Sequence, residues 1–181
     1  LDLRGHGESK NVKTNESYTF PSLANDIHVV LEHLSIQKSH FVGVSLGTIL
    51  IRQLAENYPE KVESMILGGA IFKMNFRSQV LMKLGMVLRF AVPYLWLYRL
   101  FAFIIMPRKN HKAARLLFVN EAKKMNQKEF IKWFQLTAEI NPILRKFRAE
   151  ELQIPTLYIM GSQDYMFLPS IKNIVINHSS S

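Results

Sequence analysis

The chain has 181 residues, of which 48% are hydrophobic and 20% charged, as in an ordinary globular protein. It contains no cysteine, which excludes a disulfide framework, a thiolate zinc site and a cysteine nucleophile. The net charge of +9 is local: the stretch from Lys73 to Arg148 carries 16 Lys and Arg against 3 Glu, or +13, and the rest carries 7 against 11, or −4. Such a basic region could attract anionic lipid or an anionic substrate, or be only a solvated surface. We find no known nucleic-acid-binding module and expect no nucleic-acid partner.

The first part of the chain alternates between strand and helix patterns. A strand end is predicted at 1–3, followed by a glycine-punctuated loop at 4–9. A helix capped by Ser22 comes next, with apolar positions at Leu23, Ile27, Val30, Leu31 and Leu34. A strand at Phe41 and Val42 then leads into a second helix, which has apolar positions at Leu46, Ile49, Leu50 and Leu54 and stops near Pro59, and a further strand runs from Val62 to Leu67. This alternation favours a parallel sheet covered by helices on both faces.

The middle of the chain, from Ile71 to Arg148, changes to a helical period and predicts an all-helical insertion. Its first stripe consists of Phe76, Val80, Leu81, Leu84, Val87 and Leu88. The following run, from Phe90 to Met106, is apolar except for Arg99 and contains Pro93. An apolar run of this kind raises the possibility of a membrane span, but the run is short and interrupted, and it favours a buried or interfacial helix pair.

The last part returns to a strand pattern. A strand is predicted from Thr156 to Met160, then a turn through Gly161 and Asp164, and a final helix after Pro169. The domain organisation that follows is an α/β core at 1–70, a helical cap at 71–150 and a return to the core at 151–181.

One turn carries candidate chemistry. In Gly43-Val44-Ser45-Leu46-Gly47 an apolar strand enters and a helix leaves, the setting of a nucleophile elbow. A Cβ at Gly43 or Gly47 is expected to crowd the neighbouring strand or helix, and the turn is expected to expose the Ser45 hydroxyl. The Leu46 backbone N–H is then placed to donate to an oxyanion. The alternative is a glycine-rich turn, such as a phosphate-binding one, in which the serine only caps the helix.

Two further segments carry a resemblance to a known family. The loop Asp2-Leu3-Arg4-Gly5-His6-Gly7-Glu8-Ser9 resembles the D-x-R-G-x-G-x-S loop of cap-bearing α/β hydrolases, and Pro155 to Asp164 resembles the strand of that family that leads to the catalytic acid. The resemblance implies an α/β-hydrolase core, a parallel sheet flanked by helices, with an all-helical cap insertion. We expect no cofactor and no metal.

The resemblance also implies a catalytic order of serine, acid and histidine. Ser45 would be the nucleophile and Asp164 the acid, although Asp164 could instead only cap the next helix. His178 alone among the histidines follows Asp164, and its register with the last predicted helix favours an ordinary surface residue over the base. His6 is given a structural role by the resemblance, and the other histidines match no catalytic position.

We therefore expect the first strands, with the second oxyanion donor, and the strand bearing the catalytic histidine to lie outside this chain. The core is then incomplete at both ends, and the chain alone is expected to be inactive or nearly so.

The substrate is expected to be a small-molecule ester or a lipid-like molecule of small or medium chain length, cleaved by a serine esterase or lipase. Aromatic and aliphatic residues of the cap either line an acyl pocket, face lipid or only pack the cap; they are Phe90, Tyr94, Leu95, Trp96, Leu97, Tyr98, Phe101 and Phe103. Hydrolysis of C–C bonds, lactones or N-terminal prolyl peptides stays open. So does a non-catalytic protein that binds a membrane or a partner.

No secretory signal is visible, and we expect a cytoplasmic protein that also contacts anionic membrane through its basic cap. The oligomeric state is open.

Overall fold

The computed structural model describes residues 1–11, 17–88 and 91–176. Three strands and eight α-helices are assigned in these ranges: α1 (Phe20–His33), β1 (Ser39–Val44), α2 (Leu46–Asn57), β2 (Val62–Gly68), α3 (Phe76–Leu88), α4 (Tyr94–Ile105), α5 (Lys112–Ala122), α6 (Gln127–Gln135), α7 (Thr137–Ala149), β3 (Thr156–Ile159) and α8 (Leu168–Val175). The predicted order of strands and helices is confirmed from α1 onward. Residues 1–3 do not form a strand, since none of the described strands pairs with them.

The three strands form one parallel sheet in the order β1-β2-β3. Val44, Gly68 and Ile159 lie in one row across the strands, so all three carboxyl ends reach the same edge of the sheet. One face of the sheet is buried, with Met65 and Leu67 nearly inaccessible.

The opposite sheet face is exposed. Val42 and Val44 of β1 and Leu157 and Ile159 of β3 are all more than half accessible. The alternation of strands and helices predicts helices on both faces of the sheet. A parallel sheet flanked by helices is confirmed, but within the described residues these four side chains of β1 and β3 lie uncovered.

Helix α1 begins one turn earlier than its apolar spacing alone suggested. The N-cap is Thr19, whose hydroxyl accepts from the Ser22 N–H, while the Ser22 hydroxyl accepts from the Thr19 N–H. Ser22 is therefore the reciprocal partner in a capping box and not the cap itself. Pro21 fits the first turn because the N–H that it lacks would have no helical acceptor there.

The chain divides into two compact units. One consists of Thr19–Asn75 and Ala138–Ser181 and contains the sheet; the other consists of Leu1–Tyr18 and Phe76–Thr137 and contains helices α3 to α6. We call them the sheet unit and the helical unit.

The core of the helical unit is aromatic. Leu97 of α4 and Phe130 and Phe134 of α6 are buried together, and Tyr94, Tyr98 and Phe101 pack against them. Helix α3 packs closely against this core at Gly85, where a Cβ would lie 2.5 Å from Phe134 and 2.7 Å from Phe101.

The predicted apolar stripe of α3 faces outward. Phe76, Val80, Leu84 and Val87 are exposed, and of the stripe only Leu81 is buried. The prediction of a helix at this place is confirmed, but the expected core-facing side is not, because the buried side of α3 is the one that bears Ser78, Leu81 and Gly85. Among the described helices none is both long and apolar enough to cross a membrane.

Candidate active site

Ser45 lies between the end of β1 and the start of α2 in an unusual backbone conformation. Its φ is 53° and its ψ is −116°, in the positive-φ region that non-glycine residues rarely adopt. The Ser45 N–H donates to the carbonyl of Gly68 at 2.9 Å, and the N–H and hydroxyl of Thr48 both donate to the Ser45 carbonyl. These bonds from two elements hold the strained turn in place.

The Ser45 hydroxyl is exposed and makes no capping hydrogen bond to α2. The expectation of an exposed hydroxyl is therefore confirmed. The alternative, in which the serine is only a helix cap, lacks the bond that defines a cap.

The two glycines of the turn differ in the space available for a side chain. A Cβ on Gly43 would lie 2.6 Å from Cδ1 of Ile51 and 2.8 Å from the carbonyl oxygen of Gly47, so a side chain there would push the strand away from α2. A Cβ on Gly47 would meet no described atom within 4 Å. Crowding was expected at both positions. It is confirmed at Gly43 and wrong at Gly47, because the Cβ direction at Gly47 points into open space.

Leu46 is the first residue of α2, so its N–H has no acceptor within the helix. Together with the positive end of the helix dipole, this N–H can stabilise an oxyanion that forms on a substrate bound at Ser45.

Thr48 is a residue of this turn that sequence reasoning missed. Its side chain is 3% exposed, and its hydroxyl donates to the Ser45 carbonyl and accepts from the N–H of Ile71 at 3.3 Å. It ties the turn to the segment after β2. A threonine three residues after the candidate nucleophile was the available signal, since Ser and Thr often bond the backbone of a preceding residue.

Asp164 follows the end of β3 in the predicted turn. Its N–H donates to the Gly161 carbonyl at 3.0 Å, and its Oδ1 accepts from the N–H groups of Met166 and Phe167 at 2.9 and 2.8 Å. These bonds fix the carboxylate through one oxygen and leave Oδ2 with no hydrogen bond to the described residues. The same bonds also suit the alternative role of Asp164 as a cap of the turn before α8.

Ser45 and Asp164 both follow strands that end at the same edge of the sheet. Ser45 directly follows β1, and Asp164 comes five residues after β3, with β2 between the two strands. Strands two positions apart are about 10 Å from each other.

None of the described histidines hydrogen-bonds either group. His6 stands at 81° to Trp133, His28 stacks on Tyr58, and Nδ1 of His40 is 2.8 Å from the Ser64 hydroxyl. His178 lies outside the described residues. The catalytic base therefore stays a prediction.

The Asp2–Ser9 loop belongs to the helical unit, where its own polar groups and α6 hold it. The Asp2 carboxylate accepts from the Glu8 N–H at 2.9 Å, and the Trp133 indole donates to the Arg4 carbonyl at 2.9 Å. A Cβ on Gly5, whose φ is 77°, would lie 2.4 Å from Oε2 of Glu129.

Glu129 is the buried charge beside this loop. The Tyr18 hydroxyl donates to its carboxylate at 2.6 Å, and the Lys132 ammonium does so at 2.8 Å. Burial raises the pKa of Glu129, but the hydrogen bonds from Lys132 and Tyr18 and the nearby positive charges together lower it by more, so the pKa lies below its ordinary value.

A cavity of about 420 Å³ opens between this loop and helices α4 and α5. It is mostly apolar and is lined in part by His6, Tyr98, Phe118 and Met125. Burial raises the pKa of the Tyr98 phenol.

The aromatic and aliphatic residues predicted for the cap thus fall into two groups. Tyr94, Leu97, Tyr98 and Phe101 pack the helical unit, whereas Trp96 and Phe103 face outward. Phe90 lies outside the described residues.

Comparison with known proteins gives consistent results. Human protein ABHD8 is 27% identical over 93% of this chain and 38% of its own length, and mouse epoxide hydrolase 4 is 27% identical over 71% of this chain and 36% of its own length. The chain thus spans less than half the length of these relatives. The crystal structure of MGS-M2, an α/β hydrolase enzyme from a Medee basin deep-sea metagenome library, superposes with a TM-score of 0.70 at 21% identity and covers 98% of this chain and 66% of that one.

A family profile described as the alpha/beta hydrolase fold matches residues 1–117. Those residues include the Asp2–Ser9 loop, the Ser45 turn and much of the helical segment that follows β2. Because the match spans more than half of the chain, this protein belongs to the α/β-hydrolase fold family.

Proposed function

We propose that the protein is a serine hydrolase that cleaves carboxylic esters through an acyl-enzyme on Ser45. The observation that carries the proposal is the Ser45 turn: a strained residue with an exposed hydroxyl at a helix N-terminus. A strained turn that leaves the hydroxyl free, rather than using it as a cap, is typical of a site where the side chain reacts.

The reaction would run in two steps. The Ser45 Oγ attacks the ester carbonyl carbon while a base takes its proton, and the negative charge on the carbonyl oxygen is stabilised by the Leu46 N–H. The C–O bond then breaks, and the alcohol leaves with the proton from the base. Water repeats the attack on the acyl-enzyme and releases the carboxylic acid, which restores the Ser45 hydroxyl.

Asp164 is proposed as the acid that orients the base. The order of Ser45 and then Asp164 along the chain, and their departure from one sheet edge, support this role. The base itself is proposed to be a histidine that follows Asp164 in the order of the family.

Carboxylic esters are favoured because a serine nucleophile forms an ester intermediate with an acyl group. Epoxide hydrolase 4 is among the relatives, but the members of the family that open epoxides or cleave haloalkanes use aspartate at the turn, where this chain has Ser45. We therefore expect the full-length protein to turn over p-nitrophenyl acetate and not styrene oxide.

Fluorophosphonate labelling of the full-length protein tests the nucleophile. Ser45→Ala is expected to abolish labelling. Ser35→Ala is the matched control, since Ser35 is also an exposed serine with positive φ, 56°, yet follows helix α1 instead of the sheet. Equal labelling of Ser45→Ala and the unchanged protein would contradict the proposal.

Asp164→Asn separates the two roles of the acid. Asparagine keeps an oxygen to accept from the Met166 and Phe167 N–H groups but removes the charge. If Asp164 orients the base, kcat falls by about a thousandfold or more while the fold is kept. A fall of less than threefold would show that Asp164 only caps the turn.

A further inference from the structure

Helix α4 is apolar on two sides, and only one of them is covered. Leu97 and Ala102 are each 1% exposed and face the core of the helical unit. On the other side Trp96 is 65% exposed and Phe103 is 60% exposed, with Arg99 and Leu100 between them at helical spacing. The outer side of α4 is therefore an uncovered stripe of large apolar residues.

Helix α5 continues this stripe. Leu116 and Leu117 are more than half exposed, and a groove of about 280 Å³ runs between α4 and α5. The residues that line the groove combine apolar side chains with four cations and include no acid; they include Arg99, Phe103, Lys112, Arg115, Leu116 and Lys123. We call these residues, with Trp96, the α4–α5 face.

The charge of this region is strongly positive. From Tyr94 to Lys124 the sequence holds seven Lys and Arg and one acid, Glu121, which already pairs with Lys124 at 2.8 Å. Arg115 has a structural role, since it donates to the carbonyls of Met106 and Arg108 and stands over the Phe103 ring. Arg99 and Lys112 have no acidic partner among the described residues and are free to bind anions.

Two properties therefore occur on one surface: large exposed apolar side chains and cations without acids. Nucleic acid would use the cations but leave Trp96, Phe103 and Leu116 in water. An anionic bilayer uses both, because its phosphates attract the cations while aromatic rings enter the headgroup region.

The length of the helix decides how it would lie. Twelve residues of α4 extend about 18 Å, which is too short for a hydrocarbon core of about 30 Å. A helix of this length with one cationic, aromatic side lies along the interface.

We propose that the α4–α5 face binds the surface of anionic lipid bilayers. Trp96, Phe103 and Leu116 enter the headgroup layer, while Arg99, Lys112 and Lys123 bind lipid phosphates. The proposal does not depend on the reaction of Ser45. A protein that binds vesicles without fluorophosphonate labelling, or is labelled without binding them, would separate the two proposals.

Vesicle sedimentation tests the charge. The full-length protein is expected to bind vesicles of phosphatidylserine and phosphatidylcholine and to be released by salt, with little binding to phosphatidylcholine alone. Arg99→Gln with Lys112→Gln is expected to weaken binding about tenfold to thirtyfold, on the basis of about 1 kcal/mol for each cation at the surface.

The matched control is Lys73→Gln with Lys172→Gln. It removes the same charge from two exposed positions in the sheet unit, so it is expected to change binding by less than about threefold. Equal weakening by the two double variants would overturn the assignment to the α4–α5 face, because only net charge would then matter.

Trp96 reports the apolar contact. Trp96 is 65% exposed and the other tryptophan of this chain, Trp133, is 9% exposed, so quenching by bromine-labelled phosphatidylcholine in anionic vesicles is expected to act on Trp96 and to fall in Trp96→Phe. Phe103→Ser should weaken binding at high as well as low salt.

Three results would overturn the proposal. One is the absence of quenching despite sedimentation with vesicles. Another is release of the protein by millimolar inorganic phosphate, which would show an anion site without membrane contact. The last is binding of an oligonucleotide, sensitive to Arg99→Gln, with none to vesicles.

Discussion

At the scale of single residues, two ion pairs share the same spacing and distance but differ in burial. Glu129 and Lys132 on α6 are three residues apart and 2.8 Å from each other, as are Glu121 and Lys124. The Glu129 side chain is 12% exposed and also bonds Tyr18, whereas Glu121 is 66% exposed. Burial, and not spacing, should therefore decide how much each pair stabilises the protein.

Glu129→Gln is expected to lower the free energy of unfolding at pH 7 by about 1–3 kcal/mol, since it removes a charged acceptor. Because the folded-state pKa of Glu129 is lowered, its contribution is present above the ordinary value of 4.5 and is lost as the pH falls through the folded value. Urea unfolding of both proteins between pH 3 and pH 7 should thus converge at the acidic end.

Glu121→Gln is the control, with the same change of charge in the same unit. A loss of less than about 0.5 kcal/mol is expected, because an exposed pair contributes little. If both variants lose equally, or if the Glu129→Gln difference grows as the pH falls, the interpretation of Glu129 is wrong.

At the scale of elements, the contact between β1 and α2 shapes the Ser45 turn. The strand approaches the helix so closely that Gly43 faces Ile51 and the backbone of Gly47. Such an approach is possible only without a side chain. The turn is therefore built by its two flanking elements together and not by the serine alone.

Gly43→Ala is expected to destabilise the protein by about 1–3 kcal/mol, since the added methyl group meets backbone atoms that cannot move easily. The Gly47→Ala control fills open space in a helix and should be neutral or stabilising by up to about 1 kcal/mol. The urea midpoints of the two variants provide the comparison. A Gly47→Ala loss as large as that of Gly43→Ala would contradict the packing described here.

At the scale of the whole chain, an ion cluster around the buried Glu56 carboxylate connects α2 and α7 within the sheet unit. Glu56 of α2 is 3% exposed and pairs with Arg52 at 3.4 Å and with Lys146 of α7 at 2.7 Å. The Arg52 guanidinium also donates to the Glu150 carbonyl. Burial lowers the pKa of Arg52, and the Glu56 carboxylate opposes that shift. The cluster joins α2, which precedes β2, to the end of α7, which precedes β3.

Glu56→Gln is expected to cost about 3 kcal/mol, because it leaves Arg52 buried without its carboxylate. Adding Arg52→Met should recover part of that loss, since a buried pair can be replaced by apolar groups. Glu63→Gln is the control, as its pair with Lys38 is half exposed and should contribute less than about 1 kcal/mol. Equal urea midpoints for Glu56→Gln and Glu63→Gln would refute the role of the cluster.

Local patterns predicted much of the fold. The apolar spacing of α1, α2 and β2 needs only the residues within each element, and the glycines around Ser45 indicated the turn before any contact was known. The sequence pattern placed the N-cap of α1 at Ser22, one turn too late. Thr19 and Ser22 can each cap a helix, and only the backbone of the folded chain shows that Thr19 is the cap and that Ser22 bonds back to it.

The sequence by itself determined the order of the elements, the Ser45 turn and the position of Asp164 after a strand, because each depends on neighbours close in the chain. Only the tertiary structure decided which apolar faces are buried. The outward stripe of α3, the open space at Gly47, the exposed sheet face and the α4–α5 face all depend on which distant residues come near. Periodicity shows that a helix or strand has an apolar side, but that side is buried only where a second surface of the folded chain packs against it.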